Sequence, residues 1–239
     1  MNIKGGYTHY GQDIGILMLN TVFPRIPGDI GNARTFDFPV CYKVVKLSPS
    51  QLAKSTDQEL LAAFIKAARE LEEEGCKAIT TACGFLAGFQ QELSDAVNIP
   101  VFTTTLSLIP MIAPMIGRRK KIAIFTQRRE LMTEFLFQKA GWSSKDFHIC
   151  IADLPEDAAF NELLIQNRPD GNMEDVSASV REMTVQHMEQ HPDTGAIVLE
   201  CQNLAPFGGM IQSISGVPVF GMNQLIAFIE SCVNYSATV

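Results

Sequence analysis

The stretch KAITTACGFLAGFQQELSDAVNIPVF (77–102) aligns without a gap onto GAIVLECQNLAPFGGMIQSISGVPVF (195–220), with nine identities in 26 positions. Chance supplies roughly two at ordinary residue frequencies. The identities include Cys83/Cys201, Leu86/Leu204, Phe89/Phe207 and the closing Pro-Val-Phe. The two cysteines stand 118 positions apart, far too long a period for a solenoid. The repeat therefore implies two similar halves, each running strand, cysteine, helical segment, strand.

The rest of the chain fits an α/β fold with two pseudo-symmetric domains, each a mainly parallel sheet flanked by helices, with a site in the cleft between them. Short β-branched runs alternate with longer helical segments. Strands are expected at 14–20, 39–47, 77–82, 98–104, 120–126, 146–152, 195–200 and 216–220. The clearest helix runs from Asp57 to Glu74, with Thr56 and Glu59 at capping-box spacing and Gly75 as its stop. A helix is expected over 128–141 and two more over 156–167 and 173–190, with another closing the chain. The connector LSLIPMIAPMIG reads as a short helix broken by Pro110 and Pro114. Residues 1–104 with 217–239 are assigned to the first domain and 105–216 to the second.

In open α/β sheets ligands bind beyond the carboxyl ends of the strands, which is where Cys83 and Cys201 fall. Each precedes a segment expected to turn helical, so each thiol would stand near a positive helix end. A free cysteine is more often a small buried hydrophobe, and Cys41, Cys76, Cys150 and Cys232 are read so. Symmetric placement sets Cys83 and Cys201 apart. Facing each other across a cleft, a thiolate and a thiol form a base and an acid that can exchange a proton on opposite faces of one carbon.

A net charge of −7 and a pI near 5.1 argue against a nucleic-acid partner. No uninterrupted apolar run reaches membrane-spanning length and the amino terminus lacks a signal-like core, so a cytoplasmic protein is expected, with no membrane partner. No CxxC pair occurs, which removes zinc ribbons and thioredoxin-type sites. His187 and His191, four apart before Pro192, read as surface histidines, and no metal site is expected. P-loop, GxGxxG and GxSxG signatures are absent, so nucleotide use has no support.

With TACGF in the first copy of the repeat and LECQN in the second, the chain resembles the aspartate/glutamate racemase superfamily, which includes hydantoin and allantoin racemases, maleate isomerase and arylmalonate decarboxylase. The resemblance covers nearly the whole chain. It implies two pseudo-symmetric α/β domains, no cofactor, and Cys83 and Cys201 as the catalytic pair. It places carboxylate-binding amides at Gly84, Phe85, Gln202 and Asn203, a hydroxyl at Thr126, and the first strand's end at Asn20 and Thr21. Glutamate racemases carry Asn-Thr and Thr-His after their cysteines, whereas this chain has Gly84-Phe85 and Gln202-Asn203, which points away from acidic amino acids.

Arg25, in the long loop after the first strand, is a further candidate for a substrate carboxylate. Asp29 reads as a turn residue. Glu200 is expected to point away from the site, because successive strand residues face opposite sides. The activity these features imply is a cofactor-independent racemase or epimerase, an isomerase acting on a small carboxylate or amide. The alternatives are a cis-trans isomerase of the maleate isomerase type and a non-catalytic two-lobed binding protein. A homo-oligomer is expected because such assemblies are common among soluble enzymes.

Overall fold

The computed structural model describes residues 5–46 and 57–235. Two four-stranded parallel sheets carry the fold. The first is built from β1 (Ile14–Leu19), β2 (Val40–Val45), β3 (Ala78–Thr81) and β4 (Val101–Phe102), in the order β2-β1-β3-β4. The second uses β5 (Lys121–Thr126), β6 (Ile149–Asp153), β7 (Thr194–Leu199) and β8 (Val219–Phe220), in the order β6-β5-β7-β8. The orders are the same, position for position. The internal repeat is thus the third and fourth strands of each sheet with the segment between them, and each cysteine stands just past the third strand.

Parallel strands need crossover connections, and these supply the helices. Helix α1 (Asp57–Glu73) presents Leu60, Phe64, Ala67, Ala68 and Leu71 to the first sheet, a three- and four-residue spacing that makes one apolar stripe. Complete burial of Phe64 contributes about 2–3 kcal/mol. Thr56, the expected cap of this helix, lies outside the described residues. The second sheet is covered by α6 (Met173–Gln190), whose ends agree with the sequence expectation, and by α5 (Ala159–Ile165). Asn172 caps α6 by accepting from the Glu174 amide.

Two helical expectations need correction. The proline-rich connector is not broken. A 3-10 turn (Thr105–Leu108) runs into α3 (Ile109–Ile116), with Pro110 in the first turn, where no N–H is required, and Pro114 inside the last turns. The segment 128–141 is interrupted instead. A 3-10 turn (Arg129–Leu131) ends there, and Thr133 caps a new helix, α4 (Glu134–Lys139), by accepting from the Leu136 amide. The local hydroxyl cap competes with the continuous helix and wins.

The two halves are locked by an exchange. Strand β4 belongs to the first sheet, yet the chain leaving it packs Leu106, Ile109 and Ile112 against Ile122, Ile124 and Val198 of the second. Strand β8 pairs with β7, yet α8 (Met222–Val233) packs Met222, Leu225 and Ile226 against Ile14, Ile16 and Ala78 of the first. Hydrogen bonds cross the same seam, from Thr105 Oγ1 to the Leu199 carbonyl (2.8 Å) and from Asn223 Nδ2 to the Gly28 carbonyl (2.7 Å). Gly28 itself has φ +97°, and a Cβ there would stand 2.9 Å from Pro206 Cα, so this contact admits only glycine.

His187 is buried rather than at the surface. Its position on α6 turns it onto Phe125, with ring centroids 5.1 Å apart, and its Nε2 lies 3.2 Å from Thr194 Oγ1. Burial pulls its pKa down to about 4. The unfolded chain takes up that proton near pH 6.5, so the neutral ring contributes stability above that value, which is lost as pH falls through about 4. His187→Gln is expected to flatten the loss of stability over this acidic window, read from urea unfolding at a series of pH values. An unchanged slope would refute the assignment.

Candidate active site

One cavity of about 650 Å³ opens between the two sheets at the carboxyl ends of β1, β3, β5 and β7. Its lining takes in Cys83, Gly84, Thr21, Arg25, Thr126, Gln202, Asn203 and Cys201 from the sequence candidates. Both thiols therefore share one site. Asn20 is exposed and lies outside the lining. Phe85 sits in the 3-10 helix that follows Cys83, and its side chain lies outside the described residues.

Each cysteine forms the N-cap of a 3-10 helix, Gly84–Phe89 or Gln202–Phe207, that leads into an α-helix: α2 (Gln90–Asp95) after the first, α7 (Gly208–Ser215) after the second. The thiols are not equivalent. Cys201 is buried, and burial first, with the neighbouring Glu200 second, pushes its pKa up to about 12. The amides of Asn203 and Leu204 offset this only in part. An expectation of thiols activated by helix ends alone does not hold at Cys201. Desolvation outweighs the dipole of a short 3-10 helix. Cys83 is half-buried, its amide held by Thr81 Oγ1 at 3.1 Å.

Glu200 is the residue that strand alternation misplaced. The amides of Glu200 and Cys201 both point to the Phe125 carbonyl, at 2.9 and 3.4 Å, so the chain kinks where β7 ends and the alternation lapses. Both side chains reach the cavity as a result. Thr126 Oγ1 donates to Glu200 Oε2 at 2.7 Å, and a Cβ on Gly84 would stand 2.8 Å from Glu200 Oε1. Glu200 thus spans the cleft from β5 to the loop after Cys83. Its pKa is raised by burial, with the Thr126 hydroxyl acting against that.

The β1 loop delivers Arg25 to the same cavity. Its Nη1 donates to Asp29 Oδ1 (2.9 Å) and Asn203 Oδ1 (3.3 Å), its Nη2 to Thr21 Oγ1 (2.9 Å), and its guanidinium lies 4.1 Å from the Phe23 ring centre. Asp29 is buried and also accepts from the Gly31 amide, closing the turn expected of it. Not all of the five guanidinium N–H groups are taken by these bonds, which leaves donors for a ligand. The rest of the lining includes Gln127, Arg128, Glu130 and Thr133 and an apolar, partly aromatic part: Leu19, Phe89, Leu131, Met132, Phe135 and Leu164. Their contribution was invisible in sequence because they come from four separate segments of the chain. Among the described residues no group of three or more His, Cys, Asp or Glu side chains is placed to hold a metal ion, and no helix is long and apolar enough to cross a membrane.

No family model matches the chain. Among curated proteins it is similar to the dimethylsulfoniopropionate lyase of Durusdinium sp. clade D, 28% identical over 213 residues that cover 87% of this chain and 70% of that protein. It is also similar to dimethylsulfoniopropionate lyase 3 of Emiliania huxleyi, 26% identical over 216 residues, again 87% of this chain but only 56% of the relative. The chain thus spans little more than half of that second relative's length. Among solved structures it shares its fold with unliganded arylmalonate decarboxylase (TM-score 0.60, 15% identity, 94% and 93% of the two chains). The same holds for the allantoin racemase from Klebsiella pneumoniae (TM-score 0.60, 19% identity, 93% and 88%). The fold is therefore that of the aspartate/glutamate racemase-like proteins, as the sequence resemblance implied.

The activity expected from that resemblance is corrected by the same comparisons. The sequence relatives are lyases, so neither a racemase or epimerase nor the isomerase class is supported. Twinned cysteines suggested twinned roles, one on each face of a carbon. The two are unequally buried, Cys201 more deeply than Cys83.

Proposed function

We propose that this chain is a lyase that removes a proton α to a carboxylate and expels a leaving group from the β-carbon, with dimethylsulfoniopropionate as its first candidate substrate. The observation that carries the proposal is the extended similarity to dimethylsulfoniopropionate lyases over 87% of the chain, in a fold whose cavity holds both cysteines of the repeat.

The chemistry needs one base, which the cavity can supply. In this reading Cys201, as thiolate, takes the Cα proton. The C–H electron pair becomes the new double bond, the Cβ–S pair leaves with sulfur as neutral dimethyl sulfide, and acrylate remains. The thiol then loses the proton to solvent. A sulfonium departs without protonation, so no acid is required on the other side. A thiol whose pKa lies near 12 is a strong base once ionised, and a bound sulfonium favours the ionised form by direct attraction.

Arg25, with Asn203 and Thr21 holding its guanidinium in place, is suited to the substrate carboxylate, and the amides of Gly84 and Gln202 are further candidates for it. Cys83 on the facing wall, with Phe85 beside it in sequence, completes the first-half loop. In the same reading Cys83 shapes the pocket and donates no proton in the elimination. The apolar wall keeps water from the carbanion-like transition state.

The test is direct. Purified protein is incubated with dimethylsulfoniopropionate, dimethyl sulfide is measured in the headspace and acrylate by NMR. Equimolar appearance of the two is expected. Folded protein with reduced thiols that produces neither over a heat-inactivated control would sink the proposal.

A further inference from the structure

Among the charges that line the cavity, one has no opposite charge beside it. Arg25 is matched by Asp29 at 2.9 Å, and Arg128 by Glu130 at 3.6 Å. Glu200 enters no ion pair among the described residues, although it is buried in the wall of an otherwise largely apolar space. Its only side-chain hydrogen bond among the described residues comes from the neutral Thr126 hydroxyl. An isolated buried carboxyl is costly and stays in a fold where something compensates it.

A second buried acceptor lies two residues on. The side-chain amide of Gln202 donates from Nε2 to the Thr103 carbonyl at 3.4 Å, which fixes its orientation, and its buried Oε1 has no hydrogen-bond partner among the described residues. Gln202 also lines the cavity. Gln202 Oε1 has almost no accessible surface, so the group this wall offers to a positive charge is the Glu200 carboxyl. The cationic guanidinium of Arg25 stands on the β1 loop, and Phe89 and Phe135 complete the apolar lining.

Resting on the lyase reading and deepening it, we infer that Glu200 is the specificity-determining counter-ion for the cationic leaving group. A zwitterionic substrate then lies across the cavity with its carboxylate toward Arg25 and its onium group toward Glu200. Without a cation beside it, Glu200 is held toward its neutral form by burial. An onium group at contact distance draws it into the ionised form. Discrimination follows: a substrate with the same shape and no positive charge leaves the carboxyl unmatched.

Two unreactive ligands of equal shape isolate the charge. One is 3-(trimethylammonio)propionate and the other is 4,4-dimethylpentanoate, in which carbon replaces the cationic nitrogen. Their dissociation constants are measured by calorimetry on the wild type and on Glu200→Gln, which keeps the size and the hydrogen bond from Thr126. Wild type is expected to hold the cation at least about tenfold more tightly, and Glu200→Gln to lose that preference while its affinity for the neutral ligand stays within about twofold. Equal affinities in the wild type would overturn the inference, whether or not the variant folds. A preference that survives Glu200→Gln would overturn it too, by assigning the cation to another group. Neither readout depends on turnover, so a protein that prefers the cation but releases no dimethyl sulfide would fail the lyase reading alone.

Discussion

Cys201→Ser is expected to lower kcat/KM for dimethyl sulfide release by about 10²–10⁴-fold, the range set by removal of a general base. Cys83→Ser is expected to cost at least tenfold less. The reason is the unequal setting of the two thiols. Cys201 is buried beside Glu200, its sulfur receiving the Asn203 and Leu204 amides, at the end of the strand that also positions Glu200. Cys83 is half-buried and follows a strand whose hydroxyls, Thr80 and Thr81, are spent on the Phe102 and Leu17 carbonyls. An elimination consumes one proton-accepting group, whereas stereochemical inversion draws equally on two. The ratio between the single variants thus reads the reaction type directly. Losses of equal size would argue against a single base and against the unequal roles of the two thiols. Both substitutions replace sulfur by oxygen at nearly constant shape, so thermal melts within a few degrees of wild type are the control that separates chemistry from stability.

Much of this arrangement is legible in the amino-acid sequence. The gapless repeat around Cys83 and Cys201 implies two similar halves, and it corresponds to the third and fourth strands of two sheets that share one strand order. Periodicity also locates α6 to the residue and α1 to within one. What is hidden depends on contacts between distant segments. The amphipathic pattern of α3 and α8 says that a face is buried and not against what, so the residues they meet, Ile122, Ile124 and Val198 for the one and Ile14, Ile16 and Ala78 for the other, are not legible in it. Glu200 was misplaced for a local reason: strand alternation holds only while successive amides point to opposite sides, and here two share the Phe125 carbonyl. The reaction was hidden for a chemical one. Removing a proton next to a carboxylate opens both inversion and elimination, and the choice between them lies with the β-substituent of the substrate, which no motif around the cysteines encodes.

The pH dependence carries the second large effect. Burial raises the Cys201 thiol to about 12, so in the free protein the ionised form is scarce at neutral pH and its fraction grows about tenfold for each pH unit. If that thiolate is the base, kcat/KM, which reports the free enzyme, climbs with a slope near one on logarithmic axes through the neutral and mildly alkaline range. An unburied thiol would level off near its ordinary value of about 8.5, so continued rise above pH 9 is the distinguishing result. The kcat profile reports the complex with substrate, in which the sulfonium stabilises the thiolate, and is expected to level off at lower pH than kcat/KM does. Initial rates of dimethyl sulfide release across a pH series, with circular dichroism to mark where the fold itself gives way, provide the measurement. A plateau in kcat/KM near neutrality would transfer the proton-abstracting role away from Cys201.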